Sequence, residues 1–222
     1  MSAQDAERRL ILSYAPSSAR AGLSALLALD AALARLVRTT REPMLGRMRL
    51  LWWRESLERL DIAQAPAEPV LQALAAQVIA MGVTGASLVR IADGWSELIE
   101  AEELDGDAFD RFGAGRGAGL FSAAARVVGE EPVAWLGVAG AGWALADLAR
   151  HLSGAEDRAA AREAARERLS AVTRRRWPRR TRALGAMALV AARDLDLADG
   201  TPPPVGSPRR LARLLWHRWT GR

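Results

Sequence analysis

The sequence predicts an all-α fold, and three observations predict it. Ala, Leu, Arg and Glu, all strong helix formers, dominate the chain. No run alternates β-branched and polar residues as a half-buried strand would. The breaks between segments carry helix start and stop chemistry.

Taken in order, "YAPSSARAG" breaks the chain at Pro16 and offers Ser17 or Ser18 as an N-cap for a helix running to about residue 39. "TREPML" places Pro43 in the first turn of the next helix, where its missing N–H costs nothing. "APAEP", "MGVTGAS", "LDGD", "GEEP", "SGAED" and "DGTPPPVGSP" supply the later breaks. About nine or ten helices result, without repeats at solenoid periods. The division expected is a helical domain over residues 1–200, then a Pro-rich linker and a basic amphipathic helix over residues 201–222.

The 222 residues suffice for one sizeable domain or two small ones. Charge interrupts every apolar run before the length needed to cross a bilayer, so no transmembrane helix is expected. "MSAQDAERRL" leads into no long apolar region and does not read as a secretory signal. There are no cysteines, which removes disulfides, thiolate catalysis and cysteine-based metal sites and is compatible with a cytoplasmic location. Net charge is +5, and all 31 basic residues counted as Lys or Arg are Arg. The charge is uneven, acidic over residues 97–110 and basic over residues 162–182 and 208–222. Such asymmetry marks either solvated helix faces or a surface for anionic partners.

The stretch "EPMLGRMRLLWWRESLERLD" sets Trp52 beside Trp53. At helical spacing Leu50, Trp53, Leu57 and Leu60 form one stripe, with Leu45, Met48, Leu51 and Trp52 on an adjacent arc. Arg47, Arg54 and Asp61 share the remaining face. A helix apolar around so much of its circumference is expected to be buried among others. Each Trp can bury up to about 250 Å², so core packing alone would account for both.

These residues carry a likeness. "YAPSSARAGLSALLALDAALARLVRTTREPMLGRMRLLWWRESLERL", followed by "APAEPVLQAL", resembles the N-terminal half of the squalene/phytoene synthase family. Later, "LVRIADGWSELIEAEELDGDAFDRF" and "RWPRRTRALGAMALVAARDL" are similar to its middle and last helices. The likeness is nearest to short bacterial members and to the mitochondrial complex I assembly factor of the same fold. It implies a helical bundle of the isoprenoid synthase type, cut short relative to active enzymes.

Active members join two prenyl diphosphates head to head. Two DxxxD motifs on facing helices hold Mg²⁺ there, which neutralises the leaving diphosphate. The register set by "ALLALDAALARLVR" puts the first motif's aspartates over Ala34, Arg35 and Arg38, and Asp30 lies one turn too early. In "GWALADLARHLSGAED" the leading Asp of the second motif falls on Ser153, or on His151 in a shifted register, leaving Glu156 and Asp157 as residual acids. No catalytic or metal site is therefore expected, and no cofactor, with Mg²⁺ retained only for the alternative of an active prenyl transferase. By the same resemblance Arg20 matches an arginine that contacts diphosphate. Arg35, Arg38, Arg47 and Arg54 are able to hold an anion by charge-assisted hydrogen bonds, or else pair with nearby acids. Tyr14, Trp52 and Trp53 are the aromatic candidates for a cavity lining.

"GAGRGAG" at residues 113–119 lacks the Lys-Ser/Thr and the preceding strand of a phosphate loop, and reads as close helix packing. His151 and His217 stand far apart with no partner cluster, so neither a histidine metal site nor a catalytic triad is supported. In "SPRRLARLLWHRWTGR", Leu211, Leu214, Leu215 and Trp219 line one stripe flanked by arginines. Such a helix suits an anionic membrane interface or the protein's own groove. The expectation is a catalytically degenerate isoprenoid- or lipid-binding protein or a membrane-complex assembly protein, cytoplasmic with peripheral contact to the inner membrane. A protein partner in assembly fits this reading. No recognised module accompanies the basic clusters, so nucleic acid is not the expected partner.

Overall fold

The computed structural model describes residues 3–222, and among them there is no strand. Eleven α-helices run α1 (Ala3–Leu12), α2 (Arg20–Thr39), α3 (Pro43–Arg59), α4 (Pro69–Gln77), α5 (Gly85–Glu100), α6 (Gly106–Phe112), α7 (Gly119–Val127), α8 (Ala134–Ala149), α9 (Ala155–Thr173), α10 (Arg182–Asp194) and α11 (Pro208–Thr220). Their starts follow local chemistry. Pro43, Pro69 and Pro208 each occupy a first turn. The side chains of Glu68, Thr84, Asp105 and Ser207 cap α4, α5, α6 and α11. Neither Ser17 nor Ser18 caps α2 as expected; Ser17–Ala19 form a 3-10 turn without a side-chain cap.

Between α6 and α7 the chain does not break, but loosens into a π-helical stretch over Gly113–Ala118. A π turn takes an extra residue, which rotates the following side chains relative to an α-helix, and such stretches recur at functional sites. Glycine makes the close packing here possible. A Cβ on Gly94 of α5 would overlap the Arg116 amide, and one on Gly117 would overlap the Gly140 carbonyl of α8. The π stretch is therefore clamped between α5 and α8, as the small residues of "GAGRGAG" lead one to expect.

The core is continuous, with Leu26, Leu29 and Leu33 of α2 packing with Leu88 and Ile91 of α5, Phe121 of α7 and Leu145 of α8. Helix α3 departs from expectation. Gly46, Leu50, Trp53, Ser56 and Leu57 face inward toward α5, but Met44, Leu45, Met48, Leu51 and Trp52 stand in solvent. It is buried on one side only, because α5, with a smaller contribution from α2, covers that side and nothing among the described residues covers the second apolar arc.

Helix α11 folds back onto the body through Leu214 and His217, both 1% exposed. Arg210 fixes its start, with Nε 2.6 Å from Glu7 of α1 and Nη1 2.5 Å from Asp194 of α10. Gly221 ends it in the left-handed region at φ 76° and accepts a hydrogen bond from the Trp177 N–H at 2.8 Å. Its other side leaves Leu215, Trp216 and Trp219 exposed.

Candidate functional site

Three helical segments each contribute one ionisable side chain to the middle of the bundle. Asp30 is the only acid of α2 and sits in the stripe formed by Leu23, Leu26 and Leu33. Asp147 is the only ionisable residue of α8. Arg116 is the only one in the π stretch. Such groups cannot be buried alone, since an isolated charge in an apolar interior costs more than folding supplies. They converge.

Arg116 is 2% exposed. Its Nε donates to Asp30 Oδ1 at 2.7 Å and its Nη2 to Asp30 Oδ2 at 2.9 Å, a bidentate pair. The same Nη2 lies 2.7 Å from Asp147 Oδ2, and Nη1 donates to the Ala144 carbonyl at 3.4 Å. Trp95 of α5 donates its indole N–H to Asp30 Oδ1 at 3.0 Å. The guanidinium carbon sits 4.3 Å from the Trp95 ring centroid, 4.8 Å from Trp143 and 5.6 Å from Phe112, an aromatic box around a cation. Burial works against the charged forms. The two carboxylates nevertheless hold the Arg116 guanidinium firmly protonated, and Arg116, helped by His151 and Arg150, keeps the Asp147 carboxyl below its ordinary value.

Above this cluster opens a cleft of about 460 Å³. Its apolar wall includes Ile11, Leu27, Ala34, Trp143 and Met187, and Asp30, Asp147 and Arg116 form part of its floor. Arg8, Arg38, Arg150 and His151 stand around it. Glu7 also lines it but is held by Arg210. With its acids engaged in this way, the cleft presents net positive charge beside an apolar wall.

The five arginines singled out from sequence do not converge. Arg38 lines the cleft. Arg20 instead donates to the Ser13 and Ala15 carbonyls, tying down the turn before α2. Arg54 pairs with Asp93 at 2.8 Å. Arg35 and Arg47 are exposed, on α2 and α3. Nor do Tyr14, Trp52 and Trp53 line this cleft. Tyr14 is buried beneath Arg218, its hydroxyl without a hydrogen-bond partner, Trp53 belongs to the α3 core face, and Trp52 is exposed. Glu156 and Asp157 lie in the first turn of α9, outside the cleft. The acid of α8 that faces α2 is Asp147, one turn before His151, and Asp30, set aside on spacing, is its counterpart. Periodicity alone missed the trio; the signal available was an acid on the apolar stripe of α2 and one lone charge in each of the π stretch and α8.

Residues 1–116 match the family model for squalene/phytoene synthase, a span that takes in Asp30 and Arg116. The chain belongs to the squalene/phytoene synthase family. Neither the search of curated proteins nor that of solved structures gives a match.

Within this family the resemblance brings an expectation of Mg²⁺ held by carboxylates of facing helices. The residues here do not fit that ion. Each helix offers one acid, Asp30 from α2 and Asp147 from α8, and both are already engaged by Arg116. A divalent cation placed between them would meet a guanidinium at close range and be repelled. Among the described residues no group of three or more His, Cys, Asp or Glu is arranged to hold a metal.

Proposed function

We propose that this member of the squalene/phytoene synthase family is catalytically degenerate and binds an anionic amphiphile, a prenyl or lipid phosphate, without metal. The observation that carries the reading is the Arg116 guanidinium lying between Asp30 and Asp147, the acids that α2 and α8 bring together. A guanidinium already held by two carboxylates offers no open coordination position, so it cannot accompany a departing diphosphate as Mg²⁺ does. Arg8, Arg38 and Arg150 would take the anionic head, and the wall of Ile11, Leu27, Trp143 and Met187 the apolar chain. A volume of about 460 Å³ is in the range of small-molecule sites. The protein would then act as an isoprenoid- or lipid-binding factor, or in assembly of a membrane complex, cytoplasmic and peripheral to the bilayer. No helix among the described residues is long and apolar enough to cross a membrane. The exposed Trp216 and Trp219 of α11 support a peripheral contact by residues 208–222.

Calorimetry with farnesyl and geranylgeranyl diphosphate tests the reading. Binding should persist in EDTA, weaken in Arg38→Ala, and be accompanied by no release of diphosphate when Mg²⁺ is added. Robust Mg²⁺-dependent release would establish the alternative, an active head-to-head prenyl transferase.

A further inference from the structure

Helix α3 is apolar on two opposite sides, and only one of them is covered. The uncovered arc holds Met44 at 69% exposure, Met48 at 62%, Leu51 at 50%, Trp52 at 44% and Leu45 at 40%. At ~100° per residue these five fall on one continuous face, with Arg47 projecting from one edge and Arg49 from the other. From Met44 to Trp52 the face is about 12 Å long at the helical rise. Contiguous apolar surface of this kind on a folded chain marks a contact site.

The charge around it says what the contact is. Residues 35–52 contain five arginines and one acid, Glu42, a net of +4. Among the described residues Arg35, Arg38, Arg41 and Arg47 find no ion pair or side-chain hydrogen bond, and Arg49 reaches only the Thr40 hydroxyl, at 3.5 Å. A second copy is disfavoured, because a two-fold interface would press this cationic patch against itself. An apolar helical face with arginines along both edges matches the interfacial helix, whose apolar residues enter the acyl boundary while flanking guanidinium groups reach up to the phosphates. The helix is also firmly held from behind. Gly46 brings its backbone so close to Ile99 of α5 that a Cβ there would stand 2.8 Å from the Ile99 side chain.

We infer that the outer face of α3 is a docking surface for an anionic lipid bilayer. Arg38 links this surface to the cleft, since it lines the cleft and precedes the start of α3 by only five residues. Docking through α3 therefore brings the rim of the cleft toward the headgroup layer. The inference extends the peripheral-contact part of the proposed function and is independent of which anion the cleft takes.

Co-sedimentation of the full chain with phosphatidylcholine vesicles, and with mixed phosphatidylcholine–phosphatidylglycerol vesicles, tests it. The wild-type chain should bind the mixed vesicles, release them as salt rises, and ignore phosphatidylcholine alone. Arg47→Ala with Arg49→Ala should weaken binding about thirtyfold, at about fivefold per arginine near an anionic surface. Met48→Glu with Leu51→Glu should abolish it. All four positions are exposed, so the thermal midpoints of these variants should stay near wild type. Trp216→Ser with Trp219→Ser serves as the comparison on α11. Three results would overturn the inference: a wild-type chain that binds neither vesicle, vesicle binding that only the α11 variant loses, or a solution dimer that the Met48/Leu51 variant makes monomeric. Prenyl diphosphate affinity measured on the same variants reports separately on the cleft, so failure of one reading leaves the other standing.

Discussion

Arg116 meets Asp30 across 86 residues of chain, its Nε and Nη2 each donating to a different carboxylate oxygen at 2.7 and 2.9 Å. The pair joins α2 to the π stretch, and Asp147 extends it to α8. One cation thereby does two things. It is a shared counter-ion for the acids of two facing helices, and it occupies the space between their carboxylates.

Removing that cation should be costly. Arg116→Met leaves Asp30 and Asp147 facing each other without the cation they share, and a broken buried pair typically costs about 3–5 kcal/mol. Adding Asp30→Asn should restore part of the loss, because one of the two exposed charges disappears. Thermal melts of the single and double variants check this. Mg²⁺ should raise the midpoint of Arg116→Met and leave the wild-type chain unmoved.

Two glycine substitutions should differ in sign. Gly117→Ala forces a Cβ into the Gly140 carbonyl, and overpacking of that kind costs about 1–3 kcal/mol. Gly106→Ala, at the first position of α6, meets nothing within 4 Å. It should be neutral or gain up to about 1 kcal/mol by restricting the unfolded chain. Urea midpoints of the two variants give the comparison.

Arg210 clamps α11 to both ends of the chain through Glu7 and Asp194, with only 8% of its side chain exposed. Arg210→Met takes from Glu7 its ion-pair partner and leaves Asp194 only Arg150, 3.9 Å away. Loss of about 3–5 kcal/mol is expected, and amide exchange should quicken first in α11 and α1, the elements the clamp joins.

His217 should make the docking of α11 sensitive to acid. Burial in the α10–α11 interface, opposed by hydrogen bonds to the backbone of Arg182 and Arg222, holds its imidazole below the ordinary value of 6.5. The unfolded chain therefore takes up the proton first. Stability is fully present above about pH 6.5, falls as pH drops toward the depressed folded value, and levels off below it. Urea midpoints across that range should slope for the wild-type chain and flatten over the same window in His217→Gln.

Most helix breaks were readable from the sequence. Pro43 starts α3 as expected, and the stretches "MGVTGAS", "LDGD" and "DGTPPPVGSP" contain the caps of α5, α6 and α11, whereas the one cap named in advance, Ser17 or Ser18, is not used. The covered face of α3 was readable too, since Leu50, Trp53 and Leu57 obey helical spacing. Its other face was misjudged, because periodicity reports which side chains are apolar and not how many neighbours come to cover them. The site was harder still. Asp30 was dismissed on motif spacing and Asp147 was passed over for Ser153 and His151, although Asp30 is the only acid of α2 and Asp147 the only ionisable residue of α8.

By itself, then, the sequence determined that this chain folds into helices, where most of them begin and end, and that its N-terminal half carries the marks of the squalene/phytoene synthase family. Only the tertiary structure decided that Arg116 is shared between Asp30 and Asp147, and that the Met44–Trp52 face is left bare. The reason is one of range. Caps, prolines and helical spacing work through neighbours a few residues away, while the pairing of lone charges and the covering of apolar faces depend on which distant helices come to lie side by side.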